Sequence, residues 1–212
     1  MIYLDSALVS DAQAALELGW VRGITTNPTL LANSDLPPEK TLRELAQISP
    51  GELYYQLTTS DFEAMLSEGR TAYEIIGEKT VLKIPATLTG FQVAANLSKE
   101  IPCAITAIYS PAQAAIASEV GAKYAIAYVN RATRLLGNGL GLVQNMAAIL
   151  AKSQTKILAA SIKSPEEAAA SLKAGAHHLT VPLHMLRAMT SHELSEDTVD
   201  EFASNGCGIM GN

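Results

Sequence analysis

Cysteine is scarce. Only Cys103 and Cys207 occur in 212 residues, and they lie far apart. Neither belongs to a Cys-x-x-Cys pair and no His/Cys spacing matches a zinc site, so neither a disulfide framework nor a metal centre is expected. A reducing cytoplasm fits this usage. The opening residues Met1-Ile2-Tyr3-Leu4-Asp5 lack the basic start and apolar run of a signal peptide. No uninterrupted apolar stretch is long enough to span a bilayer. Charge is also sparse, at 17% of residues, too little for a chain whose main character is disorder. No run of Lys or Arg offsets the formal net charge of -6, which excludes nucleic acid and anionic membrane surfaces as expected partners. An anionic small substrate stays open, because a few local arginines overcome a weak global field. Gly137, Gly139 and Gly141 do not form the dinucleotide fingerprint G-x-G-x-x-G and do not directly follow a strand. Low-complexity linkers are missing, as is any internal repeat beyond a strand–helix unit.

What the chain does have is apolar: 48% of it is hydrophobic, enough for one domain with a substantial core. Short apolar segments at 2–5, 21–25, 53–57, 80–84, 103–108, 124–129, 156–161 and 178–181 read as strands. Between them, helical spacing covers 11–18 with Ser10 as N-cap, 39–47 after Pro37-Pro38, 61–76 capped by Ser60 or Asp61, and 90–100. It continues over 111–120, a segment reaching about 152, 165–175 and 183–189. Thr26-Asn27-Pro28 reads as a polar loop, and 137–141 as a flexible loop. Eight strands alternating with eight helices indicate an α/β chain with a parallel sheet, and right-handed crossovers favour a closed single-domain (β/α)8 barrel over an open sheet. At 212 residues it is short for such a barrel, for which about 250 is typical, so its loops must be short. The expected division is a barrel over 1–190 and a C-terminal helix or tail over 191–212.

The unusual residue is Lys83, set among Val81, Leu82 and Ile84 in a strand bounded by Pro85. A buried ammonium is costly, so such a lysine loses its proton or finds a partner. The free amine is a nucleophile able to form a Schiff base with a ketone or aldehyde. Side chains alternate along a strand, so Lys83 shares the barrel interior with Val81 while Leu82 and Ile84 face the helices. Strand ends carry further polar residues: Asp5, Asn27, Gln56, Thr106, Tyr128, Arg131 and Ser161. In such barrels the strand C-termini form the active-site face. Each residue has an ordinary alternative: Asp5 as a helix cap, Asn27 as a turn residue, Thr106 as a strand threonine, Tyr128 as a wall aromatic, Arg131 as a surface cation. Their convergence on one rim points to a pocket. His177 and His178 point to opposite faces, and His184 and His192 read as surface or packing residues.

Six segments together resemble the small transaldolase family, which includes fructose-6-phosphate aldolase. They are Asp5, Gly23-Ile24-Thr25-Thr26-Asn27-Pro28, Val81-Leu82-Lys83-Ile84-Pro85, Thr106-Ala107-Ile108-Tyr109, Tyr128-Val129-Asn130-Arg131 and Leu158-Ala159-Ala160-Ser161. The resemblance runs in order over about residues 1–190. It implies a class I aldolase or transaldolase of carbohydrate metabolism, acting on a sugar phosphate without metal or cofactor. Lys83 would form the Schiff base and Asp5 would hold or relay a proton at a substrate hydroxyl. Gln56 and Thr106 would position water, and Tyr128 would act as acid/base. Thr26 and Asn27 would bind the sugar, and Arg131 and Ser161 the phosphate. Within the family, Gln56 and Tyr128 match the aldolase branch, where transaldolases usually have Glu and Phe. The implied reaction makes or breaks the C3–C4 bond of fructose 6-phosphate. The alternatives are transfer of the dihydroxyacetone unit to erythrose 4-phosphate, or a sugar-phosphate binding barrel without turnover. The family forms homo-oligomers, pentamers or decamers, through a C-terminal helix bearing Phe and Trp. Here Phe202 is present and that Trp is not, and Ala132-Thr133-Arg134 replaces an acidic residue the family often has after the arginine.

Overall fold

Short strands that are apolar on both faces leave neither face for water, and a parallel sheet must then be covered outside and filled inside. The computed structural model, which describes residues 1–209, meets this requirement by closure. Strands β1 (Ile2–Asp5), β2 (Gly23–Thr25), β3 (Glu52–Gln56), β4 (Thr80–Pro85), β5 (Cys103–Ile108), β6 (Tyr124–Tyr128), β7 (Lys156–Ala160) and β8 (His178–Val181) form a closed barrel in chain order. All pairings are parallel, and β8 returns to pair with β1. The expected (β/α)8 architecture is the one observed. Leu4, Ile24, Leu53, Leu82, Ile84, Ile105, Ile157 and Leu179 face outward into the layer beneath the helices. Tyr3, Tyr54, Val81, Ala104, Tyr124, Ile126, Leu158 and Ala160 fill the interior. Lys83 therefore shares the face of Val81, as alternation requires.

The helices are α1 (Val9–Glu17), α2 (Pro28–Ala32), α3 (Pro38–Ile48), α4 (Phe62–Ile76), α5 (Leu88–Leu97), α6 (Pro111–Glu119), α7 (Val129–Leu136), α8 (Gly139–Leu150), α9 (Pro165–Lys173), α10 (Leu183–Ala188) and α11 (Glu193–Asn205). Several starts follow from side-chain caps: Asp61 accepts from Ala64 N, Thr87 from Gly90 N and Ser164 from Glu167 N, while Ser110 and Gln113 form a capping box.

Three local expectations are corrected. Ser10 is not an N-cap: α1 begins at Val9, because Ser6 Oγ accepts from Leu8 N at 3.1 Å and donates to Asp11 at 2.7 Å, setting the turn upstream. Asn27-Pro28 is not loop but the cap and first residue of α2, with Asn27 Oδ1 accepting from Leu30 N at 3.0 Å. The third lies in the sixth unit, where β6 stops at Tyr128, not Val129, and the chain turns at once into α7, which ends on left-handed Gly137 (φ 83°). Gly139 and Gly141 then lie in the first turn of α8, not in a flexible loop; a Cβ on Gly139 would collide with Val129 O. No residue of α11 is buried. Among the described residues, no helix is long and apolar enough to cross a membrane.

The N-terminal end of the barrel is plugged by three tyrosines around one carboxylate. Gly23 makes room for them: a Cβ there would collide with Glu52 O and stand 3.0 Å from the Tyr3 ring. Glu52 accepts from Tyr3 OH at 2.9 Å, Tyr54 OH at 3.0 Å and Tyr124 OH at 2.9 Å, and pairs with Lys123 Nζ at 2.7 Å. Burial pushes the Glu52 carboxyl up. Hydrogen bonds from Lys123, Tyr124 and Tyr3 more than reverse this and hold it below the ordinary carboxylate range. His178 also lies in this end, accepting on Nδ1 from the Met1 amine at 2.8 Å, and burial beside that amine lowers it to about 4. Removing the carboxylate strands several buried hydroxyls at once. Glu52→Ala is therefore expected to cost ~2–4 kcal/mol of stability in urea unfolding. Because Glu52 lies at the opposite end from the cavity described next, kcat of the folded variant should match that of the wild type.

Candidate active site

The C-terminal ends of the strands open into a cavity of about 460 Å³ lined by Asp5, Asn27, Gln56, Lys83, Tyr128, Arg131 and Ser161 among others. Seven polar residues singled out from the sequence thus meet in one place. Lys83, on β4, is 5% exposed and donates from Nζ to Thr26 O at 2.7 Å. Burial lowers its pKa, with the charge of Asp5 opposing in part. Such a lysine carries a larger share of free amine at neutral pH than an exposed one.

The neighbours follow from register. Gln56 on β3 pairs with Lys83, so both side chains point inward at one level. Its Oε1 is buried and has no hydrogen-bond partner among the described residues, which leaves an acceptor for whatever fills the cavity. Asp5 at the end of β1 pairs with Thr25 and accepts from Thr25 Oγ1 at 2.8 Å. Tyr128 ends β6, its hydroxyl 2.8 Å from Thr106 Oγ1. Burial raises the Tyr128 pKa, against opposing effects of the Thr106 hydrogen bond and the Arg131 charge, so the phenol keeps its proton at neutral pH. Thr106 is 1% exposed and reaches the cavity through Tyr128.

Backbone geometry at the rim is unusual. Ala107 (φ 58°), after Thr106, and Ser161 (φ 60°), after β7, are the non-glycine residues in the left-handed region among the described residues. Each conformation costs about 1–2 kcal/mol. At Ala107 it coincides with a register shift between Ile105 and Ile108 that re-aims the strand end. At Ser161 it turns the chain so that Ser161 and Lys163 both line the cavity. Arg131, from the first turn of α7, lies with its guanidinium 5.1 Å from the Tyr128 ring centroid.

Two expected site residues, Thr106 and Thr26, do not line the cavity, and Thr26 has no side-chain route to it. The Thr26 hydroxyl donates to Tyr54 O at 2.7 Å, and only its carbonyl meets Lys83. Alternation puts Thr25 inside and Thr26 outside. Thr25, Thr180 and Lys163 line the cavity and were not singled out from the sequence. Strand parity was the available signal for the threonines, because Thr25 shares the face of Gly23, and Thr180 that of His178. Lys163 lies two residues beyond Ser161 and carries no such signal. Arg134 is exposed and is not among the residues lining the cavity. His177 and His178 have separate partners, Ile157 N and the Met1 amine, and His192 caps α11.

Burying an amine for chemistry works against stability. Lys83→Met is expected to raise Tm at pH 7, by about 2–4 °C for each kcal/mol recovered. The sign with pH is fixed. Folded Lys83 releases its proton below the ordinary value of 10.5, so between the folded and unfolded pKa values the unfolded chain binds more protons. Wild-type stability therefore gains on the variant as pH rises toward 10.5, and paired melts from pH 7 to 10 check this. A gap that widens with pH would show that the lysine is buried as a satisfied cation.

Comparison with known proteins now bears on this geometry. Residues 2–207 match the family described as Transaldolase/Fructose-6-phosphate aldolase. A probable transaldolase of Hydrogenobaculum sp. (strain Y04AAS1) is 34% identical over 203 residues, covering 94% of this chain and 93% of that protein. One from Aquifex aeolicus (strain VF5) is 32% identical with the same coverage, over 203 residues. Among solved structures, a mandelate oxidase superposes with TM-score 0.63 at 18% identity, over 86% of this chain and 64% of the other, a likeness of fold alone. The closed barrel, the match over nearly the whole chain and two relatives above 30% identity lead to one conclusion: the chain belongs to the transaldolase/fructose-6-phosphate aldolase family and is an enzyme of the aldolase/transaldolase type.

Proposed function

We propose that the protein is a class I aldolase that cleaves and forms the C3–C4 bond of fructose 6-phosphate through a Schiff base on Lys83. The observation that carries this reading is an almost fully buried amine, lowered in pKa, lining a cavity with a carboxylate and a protonated phenol. The Lys83 amine adds to the C2 ketone, one proton is taken up from solvent and water leaves, giving an iminium; the final hydrolysis returns that proton. Asp5 takes the proton of the C4 hydroxyl, the C3–C4 bond breaks, and its electron pair moves into the iminium to give an enamine. Glyceraldehyde 3-phosphate departs. Tyr128 delivers a proton to C3, and water positioned by Gln56 and Thr106 hydrolyses the adduct to free dihydroxyacetone. A general acid of this kind typically contributes about 10²–10⁴-fold.

Asn27 supports sugar binding: its Oδ1 is engaged by Leu30 N, which leaves the amide N–H donors for hydroxyls. Arg131, Ser161 and Lys163 at the rim suit a phosphate, a planar guanidinium being fit for two parallel hydrogen bonds. The same reading takes 191–212 as a segment appended to the barrel, of which 210–212 lie outside the described residues; Leu194, Val199 and Phe202 on α11 are exposed, consistent with a homo-oligomer. The relatives' description as probable transaldolases favours a second outcome, in which the enamine passes to erythrose 4-phosphate. Gln56 and Tyr128, which resemble the aldolase branch, weigh the other way.

Two experiments test this. Borohydride added with fructose 6-phosphate should trap a dihydroxyacetone-derived adduct on the Lys83 peptide, and Lys83→Met should lose both adduct and turnover by several orders of magnitude. Full adduct yield in that variant would sink the mechanism. For the branch, Tyr128→Phe should lower release of free dihydroxyacetone and raise transfer relative to release. An unchanged ratio in a stably folded variant would return transaldolase chemistry to first place.

A further inference from the structure

Two buried hydroxyls at the cavity floor have no part in the chemistry described so far. Thr25 on β2 and Thr180 on β8 are 1% and 4% exposed, and both line the cavity. Their Oγ1 atoms are 2.6 Å apart, and Thr25 Oγ1 is 2.8 Å from Asp5 Oδ1. Three strands adjacent in the closed barrel, β8, β1 and β2, thus contribute one hydrogen-bonded chain ending on the carboxylate.

Counting hydrogens fixes its direction. An ionised carboxylate only accepts, and a hydroxyl has one proton to give. With Asp5 ionised, Thr25 must donate to Asp5 and Thr180 must donate to Thr25. Once Asp5 holds a proton, the chain is free to run the other way, from Asp5 to Thr25 to Thr180, leaving the Thr180 hydrogen to point into the cavity. Either state of Asp5 is matched by rotating two hydroxyls, without moving the backbone. A fixed donor, such as a backbone N–H, would favour the ionised state alone.

We propose that Thr25 and Thr180 are positioning residues for Asp5, forming a two-hydroxyl relay that reverses as Asp5 gains and returns the C4 hydroxyl proton. This rests on the Schiff-base reading above. In cleavage the C4 hydroxyl proton moves to Asp5 while Tyr128 gives its own to C3, so the count closes when solvent water takes the proton from Asp5 and returns one to Tyr128; condensation runs these steps in reverse. The other titratable groups acting on this region are Lys83 from β4 and Tyr128 from β6, with Arg131 beyond Tyr128.

The test measures kcat and KM for fructose 6-phosphate cleavage, with borohydride trapping alongside, in wild type, Thr180→Val, Thr180→Ser and Thr25→Val. Valine keeps the shape and deletes the hydroxyl. Thr180→Val should lower kcat about tenfold with KM within about twofold, and Thr180→Ser should restore it. Thr25→Val should likewise lower kcat about tenfold with KM within about twofold. It supplies the same readouts should Thr180→Val not fold. Wild-type kcat in both valine variants, or a loss that serine does not restore, would overturn the relay. Absence of a Lys83 adduct in the wild type would instead overturn the Schiff-base reading.

Discussion

An amine held away from water inside a closed barrel constrains everything around it. Nothing in the wall beside Lys83 can be chosen for packing alone, because an ammonium there needs compensation and a free amine needs an acceptor. The structure supplies a carbonyl, Thr26 O, at 2.7 Å and the negative charge of Asp5. The carbonyl serves both protonation states, and Asp5 favours the cation only. Burial outweighs that attraction, which leaves the lysine shifted toward the nucleophilic form.

The two ends of the barrel handle polar groups in opposite ways. At the N-terminal end the Tyr3, Tyr54 and Tyr124 hydroxyls all converge on Glu52, and Lys123 completes the pairing. Such a saturated network has nothing left to offer a ligand and serves as a lid on the core. At the C-terminal end groups are left with unused capacity: Gln56 Oε1 has no partner among the described residues, and Asn27 engages only its oxygen in capping. Left-handed residues at Ala107 and Ser161 add strain on the same side. A sheet that stores its unsatisfied and strained groups at one end, and closes the other, has a directional site built into its filling.

Much of this was legible before any coordinates. Period-two alternation put Lys83 inward and Leu82 outward, and the strict succession of strand and helix required closure. The segments at Cys103–Ile108 and His178–Val181 were read to the residue, because Pro102 and Pro182 or turn residues bracket them. What escaped was local. Asn27-Pro28 looks equally like a turn and a helix cap, and only the tertiary path past β3 decides for the cap. Val129 continues the apolar run of β6, so the start of α7 is masked by composition. In Thr25-Thr26 two identical residues sit side by side, and a strand only three residues long gives parity little to work with. Lys163 is a loop cation, and its place at the cavity comes from the left-handed turn at Ser161 that no pattern announces.

In the proposed mechanism, the fate of the enamine turns on where protons are kept. Asp5 and Tyr128 stand on β1 and β6, while Lys83 projects from β4 between β3 and β5. Asp5 accepts from Thr25 at 2.8 Å, and Thr25 Oγ1 lies 2.6 Å from Thr180 Oγ1. Tyr128 is tied to Thr106, and burial keeps the phenol protonated. One carrier is thus suited to taking a proton during bond cleavage, the other to holding one until an enamine appears. A transaldolase requires that the second proton not be delivered before an acceptor arrives. On that proposal the donor is Tyr128, hydrogen-bonded to Thr106 and with the Arg131 guanidinium 5.1 Å from its ring centroid. On the same proposal, release of the three-carbon unit needs no further group to be brought in, whereas transfer needs an aldehyde to outpace a proton held at the cavity wall.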